Sequence, residues 1–300
     1  METLKNNQKR KVAMVVSVMV LSILLLISIG FNIYYTFWGF DSYLQSTEEI
    51  YVMESGILYN NLEFAEGKDI DFLYDFEHED YITLRETYDI EKTAGEGTEL
   101  ERVLRLMNEY APRLTHKSNY GNEIEMSSLS LLEYSLDNSK QGINCRAKAQ
   151  ILNEMCLALG IYARKVWIMP YSGYDGDCHV VNEIWDNSLN KWVMLDITNN
   201  EYWIDENGMP LSVLEIREKG ALQEFCTPVY PEESTANPTA LKEKHTGSFV
   251  YIMKNMVYME YCSEYTVGEG FPIVRLSSET LMNENKPQIS KTSCECAPKN

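Results

Sequence analysis

The spacing of apolar residues divides this chain before any chemistry is considered. From Val12 to Phe40 no residue carries a formal charge, and the run VAMVVSVMVLSILLLISIG is aliphatic in character. A bilayer core needs about 20 apolar residues in helix, so this run is long enough to span. Further on, Leu100, Val103, Leu104 and Met107 fall at helical spacing and predict a helix over 98–108. Residues 129–136 repeat that pattern more weakly. Within 141–167, Lys148, Ile151, Leu152, Met155 and Leu159 share one helical face, all but the lysine apolar. Gly142 breaks what precedes, Asn144 fits the N-cap, and Gly160 fits the left-handed residue past the end.

After that helix the period changes. Residues 161–169 read as strand, 170–177 as a loop rich in Gly, Pro and Asp, and 178–186 and 191–198 as a hairpin joined by NSLN. On the hairpin, His179, Val181, Glu183 and Trp185 share one face, as do Trp192, Met194 and Asp196. His179 and Asp196 both lie at the strand ends away from the turn, which places them side by side. Residues 231–239 read as loop. Residues 248–261, rich in β-branched and aromatic side chains, read as strand, with helix kept open by their methionines. The polar residues from Asn283 onward read as a loose tail.

Charge placement sets the topology. Lys5, Lys9, Arg10 and Lys11 precede the apolar run, and such flanks stay in the cytoplasm. Tyr34, Tyr35, Phe37 and Trp38 follow it as an interfacial aromatic belt. A cleaved signal peptide has a shorter apolar core and a small-residue cleavage site; this run is longer and no A-x-A follows it. The first cysteine is Cys145, so no N-terminal cysteine offers a lipid anchor. The expected partition is a cytoplasmic tail (1–11), an uncleaved membrane anchor (12–38), an acidic stalk or pre-domain (39–97), a core (98–205) and a C-terminal extension (206–300).

Composition narrows the function. The net charge is −19 with a pI near 4.7, which repels phosphate backbones and argues against a nucleic-acid partner. An apolar share of 45% with 20 Tyr and 5 Trp is that of a folded protein. Seven Cys leave at least one thiol without an intramolecular partner. Asp69, Asp71, Asp75, Glu77, Glu79 and Asp80 are hard oxygen donors, but the calcium loop with its twelfth-position Glu is absent, so calcium is the weaker reading and a solvated stalk the stronger. Cys294 and Cys296 alone do not fill a tetrahedral metal site. No metal and no cofactor is expected.

Chemistry concentrates at Cys145. It opens the helix, where partial positive charge and free N–H groups favour thiolate and help hold an oxyanion. Cys156, in the helix body, reads as a small buried apolar residue. Of the four histidines, His78 lies in the acidic segment and His116 and His245 in polar loops, while His179 heads an apolar strand. Cys145 as nucleophile, His179 as base and Asp196 as its orienting group follow the logic of a catalytic triad. Trp167, Trp185 and Trp192 read as core aromatics, Arg164 as either a substrate contact or a structural ion pair, and Cys178 as either a redox-sensitive thiol or, by preference, one half of a disulfide.

The strings G-x-N-C-R-A-K-A, A-L-G-I-x-A-R-K-V, H-V-V-N-E-I-W and K-W-V-M-L-D-I-T resemble the transglutaminase-like superfamily over about residues 98–205. The resemblance implies an α+β, papain-like fold, with the nucleophile at the head of a helix packed on an antiparallel sheet that carries the His and the Asp. It matches Cys145, His179 and Asp196 to those roles, and Gln141 or Asn144 to an oxyanion donor upstream of the cysteine. Two positions depart from the pattern: Arg146 stands where the cross-linking enzymes carry an aromatic residue, and Ile197 where proline is common. The function implied is a membrane-anchored, extracellular cysteine hydrolase or acyltransferase acting on amide bonds of a protein or peptide. The alternative is an inactive binding or structural module of the same fold at the cell surface.

Overall fold

The structure is a computed structural model that describes residues 2–34, 48–230, 238–268 and 270–299. The expected aromatic belt beyond Tyr34, the start of the acidic segment and most of the 231–239 loop lie outside the described residues. The chain divides into two units, residues 1–50 and 51–300. In the first, helix α1 (Glu2–Tyr34) carries the uncharged run, and its stretch Lys9–Tyr34 is long and apolar enough to cross a membrane. Its aliphatic side chains are exposed around the whole helix rather than along one stripe, unlike a surface helix of a soluble domain.

The second unit begins within α2 (Glu48–Asn60) and continues through β1 (Leu73–Tyr74), α3 (Asp80–Tyr88), α4 (Ile90–Ala94), α5 (Glu99–Tyr110) and α6 (Ser128–Ser135). Next come α7 (Cys145–Ala158), β2 (Ala163–Met169), β3 (His179–Asp186), β4 (Lys191–Asp196) and β5 (Glu201–Ile204). The chain ends with α8 (Val213–Leu222), β6 (Thr227–Val229), α9 (Pro238–Asn255), β7 (Tyr258–Tyr261), β8 (Glu264–Tyr265), β9 (Val274–Leu276) and α10 (Lys291–Glu295). Seven strands form one antiparallel sheet in the order β6-β5-β4-β3-β2-β7-β9, and β1 pairs with β8 in parallel. The α+β expectation, a cysteine-bearing helix on an antiparallel sheet, is what the chain forms.

Local signals set the helix ends, at α7 as the sequence predicts. Thr98 caps α5 through a reciprocal capping box with Glu101, and α5 buries Leu100, Val103, Leu106 and Met107. Asn144 caps α7 by accepting from the Ala147 N–H at 3.0 Å. Gly160, at φ 71°, ends it, with Ile161 N–H returning to the Cys156 carbonyl at 2.9 Å, a Schellman closure. On β3, Asn182 donates through its side chain to the Ala149 carbonyl at 2.9 Å and ties α7 to the sheet.

Several expectations are corrected. Residues 51–97 are no free stalk: Leu58, Tyr81, Leu84, Ile90 and Ala94 are buried in the common core. The acids between them are spent singly, Asp69 on Ser290, Asp71 on Lys299 and Asp75 on Thr266, and no group of three or more His, Cys, Asp or Glu among the described residues is placed to hold a metal ion. The division at 205/206 cuts through a continuous sheet, since β7 and β9 of the expected extension pair on from β2. Residues 248–255 are helix, and only 258–261 are strand. The tail is packed, not loose: Ile289 is buried and its N–H bonds to Arg275 at 2.9 Å. Cys178 forms no disulfide, nor does any of the other six cysteines; Cys156, Cys226, Cys262 and Cys294 are buried in the apolar core.

Arg164 is settled by burial. Its guanidinium meets Glu183 at 2.7 Å with both side chains sealed from solvent, and lies 3.9 Å from the Trp192 ring centroid. It is a buried structural ion pair and does not line the cavity that holds Cys145.

Candidate active site

A cavity of about 790 Å³ opens at the N-terminus of α7. Cys145, His179, Asn144, Trp167 and Cys178 line it. His179 begins β3, and Asp196 ends β4. The β3–β4 register, with Asp186 opposite Lys191 and Asn182 opposite Leu195, runs the hairpin so that its open end carries both residues. His179 Nε2 lies 2.7 Å from Asp196 Oδ2, both side chains buried. With Nε2 turned to the carboxylate, Nδ1 is the ring nitrogen left for the thiol.

Asp196 is itself held. Its Oδ1 accepts from the Thr198 N–H at 2.8 Å and its Oδ2 from the Asn199 side-chain amide at 2.9 Å. Burial favours the neutral acid, but the His179 charge and these donors hold Asp196 below its ordinary range. For His179, burial works against the charged ring; Asp196 and the Cys145 sulfur outweigh it and hold the imidazole well above its ordinary pKa. For Cys145, burial raises the thiol, while the hydrogen bond and charge of His179 and the Val180 N–H lower it, and lowering wins. All three shifts act in the direction of the charged forms: thiolate, imidazolium and carboxylate.

Neighbouring groups add to this electrostatic frame. Lys148, one turn along α7, is buried; burial lowers its pKa against the pull of Asp196 and Cys145. Glu201, opposite Asp196 on β5, is pushed by burial and by the Asp196 charge up to about 7. It accepts from Ser248 of α9 at 2.7 Å and from the Trp203 indole at 3.1 Å.

The two oxyanion candidates separate. Asn144 lines the cavity next to Cys145; its Oδ1 is engaged in the helix cap, which leaves Nδ2 as the donor end. Gln141 does not line the cavity, and its Oε1 accepts from Asn138.

Sequence reasoning missed residues brought in by long-range pairing. His116, read as lying in a loop apart from the chemistry, lines the cavity. It is placed there because its segment pairs with residue 143: Ile143 N–H bonds to the Thr115 carbonyl at 3.0 Å and Lys117 N–H to the Ile143 carbonyl at 2.9 Å. Burial, Lys148 and His179 lower the pKa of His116, so the two imidazoles are driven apart in protonation. From α9 come Gly247, Ser248 and Tyr251, the last with its ring centroid 5.3 Å from that of His179. The only sequence signal for α9 was the methionine content that kept helix open.

A family model described as the transglutaminase-like superfamily matches residues 86–197. That span holds α4 to β4 and with them Cys145, His179 and Asp196. A solved structure of a proposed cysteine protease from Cytophaga hutchinsonii is similar at 17% identity and a TM-score of 0.30, over 50% of this chain and 48% of that one. The chain thus spans about half the length of that protein. No curated protein matches the chain.

Proposed function

We propose that this protein is a membrane-anchored, extracellular enzyme that performs thiol acyl chemistry on amide bonds of a peptide or protein. The observation that carries the reading is the 2.7 Å contact between buried His179 and Asp196 at the cavity where Cys145 opens α7. The Cys145 thiolate attacks the amide carbonyl carbon. The carbonyl pair moves onto oxygen, where the first N–H groups of α7 and Asn144 Nδ2 stabilise it. His179 gives its proton to the departing amine as the C–N bond breaks, leaving a thioester. Water or a second amine then attacks, His179 takes its proton, and the thiolate leaves. Asp196 fixes the ring and supports its positive form throughout.

Anchoring is proposed through α1, with Lys9, Arg10 and Lys11 on the cytoplasmic side and the domain outside; the basic flank ahead of the apolar helix supports this orientation. Protease treatment of intact cells should digest the domain, and its protection would overturn the orientation.

The chemistry is tested on the full chain in detergent. Alkylation by iodoacetamide followed by peptide mapping should find Cys145 labelled first, with the preference lost in His179→Ala. Labelling of Cys145 no faster than that of Cys156, and indifferent to His179, would leave a binding module in place of an enzyme. Peptides offered with and without an added amine then separate hydrolysis from amide transfer.

A further inference from the structure

Glycine within a helix is less favourable than any residue but proline, so a glycine well inside α9 calls for a reason. Close packing supplies one elsewhere. At Gly220 of α8, an added Cβ would collide with the Met253 sulfur and crowd Leu58, so a side chain there requires Met253 to move. Gly247 is different. A Cβ there would meet nothing within 4 Å, and its backbone is not left-handed. Neither packing nor conformation requires glycine at this position.

What Gly247 faces is the cavity of Cys145. Along α9, Gly247 and Tyr251 stand on one helical face (i and i+4), and with Ser248 beside them they line that wall. The other two are engaged. Ser248 is held by Glu201 at 2.7 Å and by the Tyr230 hydroxyl at 2.9 Å. Tyr251 stacks edge-on against His179. Gly247 is the one position of the three that leaves its volume to a ligand.

Taking Cys145 as the nucleophile proposed above, we infer that Gly247 is a specificity-determining residue: it keeps a subsite open for a bulky side chain of the acyl donor, laid against α9. The C-terminal part of the chain then supplies the substrate wall for a nucleophile held by α7.

The test uses two electrophiles of the same reactive group and different bulk, iodoacetamide and N-benzyl-iodoacetamide, on the full chain in detergent. In the native protein both should label Cys145 at similar rates. In Gly247→Leu, iodoacetamide should keep its rate, while the benzyl probe slows by about tenfold or more, the usual penalty for a lost apolar fit. Gly247→Ala should show a smaller selective loss with a raised melting temperature, which establishes that the helix tolerates the side chain. Equal slowing of both probes would make Gly247 structural, and no slowing of either would leave the subsite without a role; each overturns the inference while the nucleophile stands. A native Cys145 no faster than Cys156 would remove the nucleophile and the inference with it.

Discussion

Helix α7 carries two cysteines that share a residue type, a helix and a core, and differ in almost everything chemical. Cys145 stands at the first turn, beside the His179 ring and the Val180 N–H, and its thiol is shifted down. Cys156 lies in the body, sealed from solvent, and burial pushes its thiol far up. Under the proposed function, reactivity belongs to position: the open N–H groups of the helix mouth and one imidazole separate the proposed nucleophile from a filler of apolar space.

The contrast can be broken most sharply by labelling. With Cys145 lowered and Cys156 raised, iodoacetamide at neutral pH should favour Cys145 by at least ~100-fold, since each pKa unit is tenfold in thiolate. His179→Ala should cut acyl turnover by ~10²–10⁴, the range of a lost general acid–base, and leave Cys156 unreactive as before. A second handle is pH. Cys145 is thiolate above its lowered pKa, so alkylation should already be fast below the ordinary thiol range. His179 is protonated up to its raised pKa, so transfer to an amine leaving group should fade only well above the ordinary imidazole range. The expected peptide turnover is a broad bell, its acid limb shared with the alkylation profile; an alkylation curve rising only near an unperturbed thiol pKa would deny the ion pair.

Asn144→Ala should have a smaller, double effect: about 1 kcal/mol of stability lost with the cap, and acyl turnover reduced more than alkylation, because alkylation forms no oxyanion. The smallest expected change sharpens the comparison from the other side. Cys156→Ala should lower stability by about 1 kcal/mol, the common size of a point change, and spare Cys145 labelling, whereas Cys145→Ala should abolish labelling and spare the melting temperature.

The parts of the site legible in the sequence were those built by local rules. Asn144 and Gly160 bracket α7, and the NSLN turn brings His179 to Asp196 without help from distant residues. The parts not legible depend on partners far along the chain. His116 reaches the cavity because residues 115–117 pair with 143, which no local pattern encodes. Ser248 and Tyr251 sit in a segment whose Phe249, Val250, Tyr251 and Ile252 favour strand locally. There the tertiary placement of α9 overrides that preference, burying Ile252 and Met253 against the sheet unit. The acidic stretch misled in the opposite sense: its charges hid the spacing of Tyr81, Leu84, Ile90 and Ala94, whose buried sides do the packing.

One feature of the sheet bears on how the chain can be cut. β2 is flanked by β3 on one side and, on the other, by β7, which arrives only after residue 257. A fragment ending near 205 would strip that cover and leave the apolar stretch Val166 to Met169 with a bare row of amide and carbonyl groups. Such a row recruits any extended chain, so the trimmed domain should assemble with copies of itself into insoluble ribbons, while the chain through Leu276 keeps the border occupied from within.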